Sequence, residues 1–442
     1  MNIVSLMGPA IGDGITAALE RLHKSGGRNQ SWWYLAQDQI RCLTKSAVRH
    51  LPSENIPAQV SDSHYRFCNE FIWPIMHDMA DQATYTEEDF FLYKRLNAIL
   101  VARIERQESH HPYFVQDYQL AFVPKYLKRS GRQSAIFWHT PWPKFVPDQF
   151  LAPIVEIAES LLAAKAIVFS TKEYADNFNS FVDTHLPYIA SSRMFGGIGE
   201  VLVAPLGLDL DYWQAQTSKP LADKSELELP NGPYVLSIDR ADATMGIIPR
   251  LRAIELLFCR NPELKEKITF VQICGRSSPG IKANDIYWAE CQDEIAKLTE
   301  KHATSNWKPL ISLPHSINSD QLTQLYRQAA VMLVTSMGDG LNLSAKEFIA
   351  CQSADNPGIL ALSNGAGAQE EFGRYAIAFA ADDVEAISDA TIRCLHMPAS
   401  QKNRRNQRLL LQLQKNPLQL WCDTFSKILY GHLSEAEIAE VG

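Results

Sequence analysis

Short apolar runs alternate along the chain with longer segments in which apolar residues recur every three or four positions. Apolar runs of ~4–8 residues bounded by turn residues are typical of strands buried on both faces, whereas the longer periodic segments are typical of helices. The runs that predict strands are Ile3–Met7, Ser31–Ala36, Tyr113–Val115, Ala135–Trp138, Ala166–Ser170, Val201–Pro205, Tyr234–Ile238, Ile268–Cys274, Val331–Ser336 and Gly358–Leu362. Helices are predicted between them, as at Ile248–Phe258 and Asn284–Leu298. This alternation predicts an α/β fold with parallel sheets.

A polar segment, Leu210–Pro230, interrupts the pattern. It is rich in Lys, Asp, Glu and Ser, and a new strand follows it directly. We therefore interpret residues 214–230 as a linker between an N-terminal domain, residues 1–213, and a C-terminal domain, residues 231–416. The tail, residues 417–442, contains a helical pattern over Pro417–Ile438. The sequence thus predicts two α/β domains of similar size and a separate terminal helix.

Composition and charge narrow the classes of function. The chain has 442 residues, of which 46% are hydrophobic and 21% charged, and its formal net charge is −8. This composition excludes collagen-like, coiled-coil and disordered proteins. The negative charge argues against non-specific binding to nucleic acid or to anionic membranes, but it is compatible with one basic cleft for a small anion.

The cysteines and the first residues predict a reducing, cytoplasmic location. The eight cysteines form no Cys-x-x-Cys pair and several lie in apolar runs, which favours reduced core thiols over a zinc site. Residues 1–14 lack a basic segment before the apolar stretch and predict a strand and turn rather than a signal peptide. No run approaches the ~18 apolar residues of a membrane span.

Ligands in open α/β sheets bind beside the carboxyl ends of the strands, so the residues that directly follow the predicted strands are the candidates for chemistry. Gly8, Gly12 and Gly14 follow the first strand and precede a helical run. Glycines there suit either a phosphate cradle or a plain turn between strand and helix. Arg240 follows Tyr234–Ile238 and suits either a phosphate or a surface pair with a neighbouring Asp.

Two residues that follow strands of the N-terminal domain suit sugar chemistry. Asp117 follows Tyr113–Val115, where a carboxylate can bind a sugar hydroxyl, accept a proton or cap a helix. His139 follows Trp138 and precedes Pro141 and Pro143, and the prolines favour a rigid neutral imidazole that hydrogen-bonds a hydroxyl. A satisfied core histidine is the alternative interpretation.

The most specific motif follows the predicted strand Val331–Ser336. It runs from Asp339 to Glu347 and reads Asp-Gly-Leu-Asn-Leu-Ser-Ala-Lys-Glu. The amides of residues 340–343 at a helix N-terminus suit a phosphate, and Glu347 suits ribose hydroxyls. The alternative is an N-capping Asp on a solvated helix. Ser363–Glu371 is a second strand, turn and helix, suited either to another wall of a nucleotide site or to a tight turn.

Together these motifs resemble the trehalose-6-phosphate synthase family of retaining glycosyltransferases, which also includes glucosylglycerol-phosphate synthase and validoxylamine phosphate synthase. The resemblance extends from about Tyr65 to Ile428 and is strongest in residues 339–347. The other matching segments, in the family's order, are Phe71-Ile-Trp73-Pro74, Gln116-Asp117-Tyr118, His139-Thr-Pro-Trp-Pro143, Asp239-Arg240 and Ser363–Glu371. It implies the GT-B architecture, in which two Rossmann-like domains face each other across a cleft and a C-terminal helix returns to the first domain.

The resemblance also implies roles for individual residues. The C-terminal domain would bind a nucleotide-diphosphate-sugar, and the N-terminal domain would bind a small sugar, polyol or sugar-phosphate acceptor. The implied catalytic residues are Asp117, His139 and Asp339. The implied donor-binding residues are Gly12, Gly14, Arg240, Gly340, Leu341, Asn342, Leu343 and Glu347. The implied acceptor-binding residues are Tyr65, Trp73, Asp117 and Arg276.

The implied reaction moves a glucosyl or related unit with retention of configuration. The leaving diphosphate, stabilised by Arg240 and a helix N-terminus, takes the acceptor's proton while the acceptor attacks on the same face. The reaction needs no enzyme nucleophile, no metal and no cofactor. Its partners are the donor and the acceptor, and homo-oligomer formation is left open.

The chain departs from the family pattern at several charged positions. Met245 and Gly338 stand where the family has a Lys and an Arg near the donor. Met7 stands at the Arg of the family's early Ser-Asn-Arg, and Gln116 replaces a His. The departures are compatible with a changed acceptor, with replacement charges from Lys125, Arg276 or Lys282, or with a catalytically degenerate homologue that binds sugar nucleotides or regulates a partner. The five family residues that are kept favour an active enzyme: Asp117, His139, Arg240, Asp339 and Glu347.

Overall fold

The computed structural model describes residues 1–8, 14–25, 30–36, 39–44, 49–50, 54–107, 109–189, 199–220, 229–278, 280–313 and 317–431. The chain divides into two compact units. Unit 1 comprises Met1–Leu206 and Leu418–Gly442, and unit 2 comprises Gly207–Pro417.

The boundary between the units differs from the predicted one. Unit 1 ends at Leu206 rather than at residue 213, and Leu210–Thr217 forms a helix of unit 2 that Asp209 caps. Trp213 of this helix packs into the core of unit 2, so Leu210–Thr217 is part of that unit. The predicted linker, residues 214–230, therefore begins inside a helix, and its residues 221–228 lie outside the described residues.

Unit 1 is built on a nine-stranded sheet. Its strands are β1 (Asn2–Ser5), β2 (Ser31–Ala36), β3 (Gln39–Thr44), β4 (Arg49–His50), β5 (Glu54–Asn55), β6 (Tyr113–Gln116), β7 (Ser134–Trp138), β8 (Ala166–Phe169) and β9 (Glu200–Val203). Its main α-helices are α1 (Gly14–Ser25), α2 (Ala58–Arg66), α3 (Trp73–Met76), α4 (Glu87–Glu105), α5 (Val123–Arg129), α6 (Leu151–Leu161) and α7 (Lys172–His185). A π-helix, Phe67–Ile72, joins α2 to α3.

The strand order of this sheet is β4-β3-β2-β1-β6-β7-β8-β9, with β5 also paired to β3. Six of these strands run parallel to one another, namely β2, β1, β6, β7, β8 and β9. The strands β3, β4 and β5 form an antiparallel edge. The strand order reverses between β1 and β6, because β2 lies on one side of β1 and β6 on the other. The loops after β1 and β6 therefore flank the switch point of the sheet.

The C-terminal helix, Leu418–Tyr430, belongs to unit 1. Its Phe425 ring lies 4.6 Å from Phe114 of β6 and 5.8 Å from Phe137 of β7. Its Trp421 ring lies 5.3 Å from Phe137. The helix thus covers the two strands that lead to Asp117 and His139.

Unit 2 is built on a six-stranded, fully parallel sheet. Its strands are β10 (Tyr234–Ala241), β11 (Thr269–Arg276), β12 (Leu310–Leu313), β13 (Val331–Val334), β14 (Ile359–Ser363) and β15 (Ile377–Phe379). Its main α-helices are α8 (Leu210–Thr217), α9 (Ile247–Arg260), α10 (Lys282–His302), α11 (Ser319–Gln328), α12 (Leu343–Ala350), α13 (Ala368–Phe372), α14 (Val384–Leu395) and α15 (Ala399–Leu413). The order β12-β11-β10-β13-β14-β15 is the doubly wound order of a Rossmann fold, and its switch point lies between β10 and β13.

The predicted strand runs all coincide with strands of the structure, with their ends displaced by a few residues. The prediction of parallel sheets is confirmed for unit 2 and is incomplete for unit 1, where β3 to β5 run antiparallel. None of the described helices combines the length and the apolar composition needed to cross a bilayer. All eight cysteines are free thiols.

Candidate functional site

The switch point of unit 2 gathers the segments that the sequence singles out. The segment 335–339 follows β13 and packs against the one-turn helix Ala243–Met245 that follows β10. The amide of Met337 donates to the Thr244 carbonyl over 2.6 Å, and the hydroxyl of Thr335 donates to the Met245 carbonyl over 3.0 Å. The strand ends of β10 and β13 are therefore joined directly beside Asp339.

The loop after β14 closes the other side of Asp339. The amide of Asp339 donates to the Gly365 carbonyl over 3.0 Å, and the amide of Gly367 donates to the Asp339 carbonyl over 2.7 Å. A Cβ on Gly365 would lie 2.2 Å from the Met337 carbonyl oxygen, and one on Gly367 would lie 2.4 Å from that of Gly340. Only glycine allows this approach, so the two small-residue motifs form one structure.

The Asp339 carboxylate organises its own loop. One oxygen accepts from the Leu341 amide at 3.1 Å, and the other accepts from the Asn342 side-chain amide at 2.9 Å and the Ser336 hydroxyl at 3.4 Å. Asn342 has a φ of 58° and caps α12 by accepting from the Ala345 amide at 3.1 Å. The Leu341 amide, which the resemblance assigns to the donor, is therefore occupied within the loop.

Other amides of this loop stay available for an anion. Among the described residues, the backbone amides of Gly340, Asn342 and Leu343 have no hydrogen-bond partner. They lie at the N-terminus of α12, where the helix dipole adds positive potential. The local geometry is suited to a phosphate group.

Glu347 lies one turn further along α12 and is nearly buried, with 8% of its surface exposed. Its carboxylate accepts a hydrogen bond from the Tyr326 hydroxyl at 2.7 Å. Burial raises the pKa of Glu347 to about 7, although the bond from Tyr326 opposes this shift. The carboxylate retains acceptor capacity for a hydroxyl group.

Met245 contacts this loop from the side of β10. It is 8% exposed, and its sulfur lies 3.8 Å from the Ser336 hydroxyl, which also faces the Asp339 carboxylate. The thioether is thus linked to the Asp339 carboxylate through Ser336, at the position where the resemblance implies a lysine. Arg240, at the end of β10, is exposed.

Unit 1 holds a second group of candidates at its own switch point. Asp117 directly follows β6 and has φ 65° and ψ 177°, a combination that residues other than glycine rarely adopt. Its amide donates to the Phe137 carbonyl over 2.9 Å, and its carboxylate accepts from the His139 amide at 3.0 Å. The strand ends of β6 and β7 thus hold this carboxylate in place.

His139 follows β7 and is buried, with 7% of its surface exposed. Its ring lies edge-on to Phe137, with the centroids 4.2 Å apart, and neither ring nitrogen has a hydrogen-bond partner among the described residues. Burial lowers the pKa of His139 to about 3, so the imidazole is neutral at physiological pH. An unpartnered buried imidazole is costly unless a ligand satisfies it.

Trp73 and Tyr65 take different positions. Trp73 begins α3, and its ring lies 4.0 Å from His77 and 6.0 Å from Tyr118, the neighbour of Asp117. The structure therefore brings Trp73 to the same loop as Asp117. Tyr65 lies on α2 with 38% of its surface exposed.

Several other predicted positions have distinct surroundings. Gly12 lies outside the described residues, and Gly14 is the first residue of α1. Arg276, at the end of β11, pairs with Asp285 over 2.6 Å. Lys125 pairs with Glu159 over 3.5 Å on α5, and Lys282 begins α10.

Sequence reasoning missed a buried arginine at the base of the unit 2 loops. Arg250 of α9 is 1% exposed and pairs with Asp239 over 2.5 Å. It also donates to the Thr335 hydroxyl at 3.0 Å and to the Gln272 side chain at 2.9 Å. Arg250 thus joins the ends of β10, β11 and β13, and its place on the apolar face of α9 is the signal that could have identified it.

A buried ion pair supports the same region. Lys346 and Glu371 pair over 2.5 Å between α12 and α13, and Lys346 is fully buried. Within the part of the chain that the structure describes, no group of three or more His, Cys, Asp or Glu residues is placed to hold a metal ion.

The chain was compared with known families and curated sequences. The model of glycosyltransferase family 20 matches residues 36–431. A probable alpha,alpha-trehalose-phosphate synthase (UDP-forming) of Arabidopsis thaliana is 27% identical over 401 residues, which cover 87% of this chain and 50% of the relative. A trehalose-6-phosphate synthase of Sodalis glossinidius is 28% identical over 387 residues, which cover 85% of this chain and 82% of the relative.

A solved structure shares the fold. It is an alpha,alpha-trehalose-phosphate synthase (UDP-forming) from Burkholderia xenovorans in complex with glucose-6-phosphate. It superposes with a TM-score of 0.85 at 24% identity and covers 97% of this chain and 99% of its own. This likeness confirms the predicted fold class, α/β with two Rossmann-like domains of the GT-B type.

Proposed function

The chain belongs to glycosyltransferase family 20, and from this premise we propose that it transfers a glucosyl unit from UDP-glucose to a small phosphorylated sugar. The nucleotide is proposed because the Arabidopsis relative is described as UDP-forming. A sugar phosphate is proposed as acceptor because the Burkholderia structure contains glucose-6-phosphate.

The observation that carries this proposal is the arrangement around Asp339. Its loop lies at the switch point of the unit 2 sheet, where nucleotides bind in doubly wound folds. Two neighbouring loops hold it, and the amides of Gly340, Asn342 and Leu343 are available for a phosphate. We assign the donor diphosphate to these amides and to Arg240, and the ribose hydroxyls to Glu347.

The proposed reaction proceeds with retention of configuration. The bond between C1 of the glucosyl unit and the diphosphate oxygen breaks, and its electron pair leaves with the diphosphate. The acceptor oxygen forms the new bond on the same face, and its proton passes to the leaving diphosphate. Arg240 and the α12 N-terminus stabilise the charge that develops there, so the proposed reaction includes no metal ion.

We assign substrate hydroxyls to the residues of unit 1. The neutral His139 ring has two unpartnered nitrogens and is suited to a hydrogen bond with a sugar hydroxyl. Asp117 occupies a strained backbone conformation beside it, and such strain is often found at functional sites. Trp73 offers a ring face next to Tyr118 for the apolar side of a sugar.

The test is a product assay by mass spectrometry. The full chain is incubated with UDP-glucose and, in separate reactions, with glucose 6-phosphate, glycerol 3-phosphate and unphosphorylated glucose. We expect a hexose-added product with a phosphorylated acceptor, and Asp339→Ala should lower its rate at least 100-fold. Asp383→Ala is the matched control, because Asp383 also caps an amide, that of Ala386, but at α14.

Met245 favours a second candidate function. A thioether beside Asp339 cannot neutralise a diphosphate, and the loss of one charge-assisted contact costs about 2.7–4 kcal/mol of transition-state stabilisation. The second candidate is a homologue that binds a sugar nucleotide without turnover. UDP binding by calorimetry without any product would support it, whereas a product that Asp339→Ala abolishes would exclude it.

A further inference from the structure

A cationic groove lies on unit 1 between α4 and α5. It has a volume of about 530 Å³, and its lining includes four basic residues, Lys94, Arg95, Lys125 and Arg129. The one acidic residue in its lining is Glu156. A local excess of positive charge is notable on a chain whose net charge is −8. None of the residues to which the proposed function assigns the donor or the acceptor lines this groove.

Two of the four cations are neutralised within the fold. Lys94 pairs with Glu156 over 2.9 Å, and Lys125 pairs with Glu159 over 3.5 Å. Arg95 and Arg129 are exposed and have no acidic partner among the residues that the structure describes. The groove thus keeps two guanidinium groups for an anion, and guanidinium binds phosphate or carboxylate in a bidentate manner.

The remaining lining is aromatic. Phe122 is buried at the groove, Tyr126 is half-buried, and Phe91 keeps 59% of its surface exposed. The Arg129 guanidinium carbon lies 5.8 Å from the centre of the Tyr126 ring. These rings offer apolar faces beside the guanidinium groups, which suits a ligand that combines a ring with an anionic group.

We propose that this groove is a binding site for a small anionic molecule that carries an apolar ring. Arg95 and Arg129 bind its phosphate or carboxylate, and Phe91 and Tyr126 contact the ring. The volume of the groove lies in the range of small-molecule sites, about 300–1,000 Å³. The proposal is independent of the proposed transferase reaction, because it involves other residues of the chain.

The test measures the binding of three probes to the full chain by isothermal titration calorimetry. Phenyl phosphate carries a ring and an anion, inorganic phosphate carries the anion alone, and benzyl alcohol carries the ring alone. We expect phenyl phosphate to bind at least tenfold more tightly than either of the others. An excess of UDP should leave its affinity unchanged, because UDP is expected to bind to unit 2. Displacement by UDP, or equal affinity for inorganic phosphate, would overturn the proposal.

Charge-reversal variants locate the probe. Arg95→Glu and Arg129→Glu should each weaken phenyl phosphate binding at least tenfold. Lys128→Glu is the matched control, because Lys128 is the exposed basic neighbour of Arg129 on α5 and does not line the groove. It should change the affinity less than threefold. Equal weakening by all three variants would mean general electrostatic attraction and would refute a built site, as would the absence of binding.

Discussion

At the scale of single residues, Met245 is the most informative departure from the family. Its sulfur contacts the Ser336 hydroxyl, which also lies 3.4 Å from the Asp339 carboxylate. A lysine at this position would carry its ammonium group beyond the sulfur position, towards the same loop. We expect Met245→Lys to tighten UDP binding about tenfold, since a charge-assisted hydrogen bond contributes about 1.5–3 kcal/mol. Calorimetric titration with UDP measures the change.

The uncharged variant Met245→Gln separates charge from shape. It has a polar side chain of similar length without the ammonium, and we expect its UDP affinity to stay within threefold of the native protein. Circular dichroism would establish that both variants fold. If Met245→Lys left the affinity unchanged or weakened it, the diphosphate would not lie beside Met245, and the assignment of the donor to this loop would fail.

At the scale of elements, helix α4 holds the segment that follows Asp117. The Tyr93 hydroxyl donates to the Tyr118 carbonyl over 2.5 Å. The Asn97 side chain donates to the Gln119 carbonyl at 3.2 Å and accepts from the Phe122 amide at 3.2 Å. Both side chains are fully buried, so they fix the segment after a residue whose own backbone is strained.

We therefore expect Asn97→Ala to impair the loop that carries Asp117. The change leaves the buried Phe122 amide without a partner, whereas the Gln119 carbonyl keeps the hydrogen bond from the His64 ring at 2.8 Å. An unsatisfied buried amide costs about 1–3 kcal/mol. The free energy of unfolding should fall accordingly, and kcat should fall at least tenfold with little change in KM for the donor. Urea denaturation and steady-state kinetics measure the two effects.

Asn406→Ala is the control for Asn97→Ala. The Asn406 side chain likewise donates to a backbone carbonyl, that of Gly358 at 2.8 Å, but it lies on α15 of unit 2. It should lower stability without lowering kcat. An Asn97→Ala enzyme with native kcat would show that α4 has a purely structural role.

The strands and helices also show how much of the fold the sequence could predict. Continuous apolar runs identified the buried parallel strands, because both faces of such strands meet helices. The strand β3 was missed because, among its residues 39–43, Ile40 and Cys42 are buried and their neighbours are half-buried, which gives an alternating pattern instead of a run. The short strand β15 and the π-helix Phe67–Ile72 depend on contacts from distant segments, which periodicity does not report.

The candidate site was predictable as a set of positions but not as an arrangement. The loops after β10, β13 and β14 were identified because strand ends carry chemistry in this fold class. Their mutual hydrogen bonds through Thr244, Gly365 and Gly367 follow from tertiary packing. Arg250 was missed for the same reason, since two of its partners lie on β10 and β11 and the third, Thr335, directly follows β13.

At the scale of the whole molecule, the two units carry buried groups with opposite pH linkage. In unit 1, burial lowers the pKa of His64 to about 4 and that of His139 to about 3. The unfolded chain binds protons at these histidines below about pH 6.5, whereas the folded chain does not, so acid destabilises unit 1. In unit 2, burial raises the pKa of Glu347 to about 7. The folded chain then holds a proton that the unfolded chain releases above about pH 4.5, so rising pH destabilises unit 2.

We therefore expect a shift from about pH 7.5 to about pH 5 to act on the units in opposite directions. Each histidine lowers the stability of unit 1 by about 2 kcal/mol, and Glu347 raises that of unit 2 by a similar amount, about 2 kcal/mol. Hydrogen–deuterium exchange, corrected for intrinsic rates, should show less protection in peptides of β6 and β7 and more in those of β13 and β14. Other groups oppose these effects, because burial raises the pKa of Glu70 and Asp78 in unit 1 and lowers the pKa of His302 in unit 2. Variants are therefore needed to isolate each group.

The variants His139→Gln and Glu347→Gln separate these contributions. His139→Gln should reduce the pH response of the β6 and β7 peptides and leave unit 2 unchanged. Glu347→Gln should remove the acid stabilisation of the β13 and β14 peptides and leave unit 1 unchanged. If either substitution altered the pH response of both units equally, the units would unfold as one cooperative body, and the opposing linkage would not be expressed. If neither altered any response, the buried imidazole and carboxyl would titrate as they do in the unfolded chain.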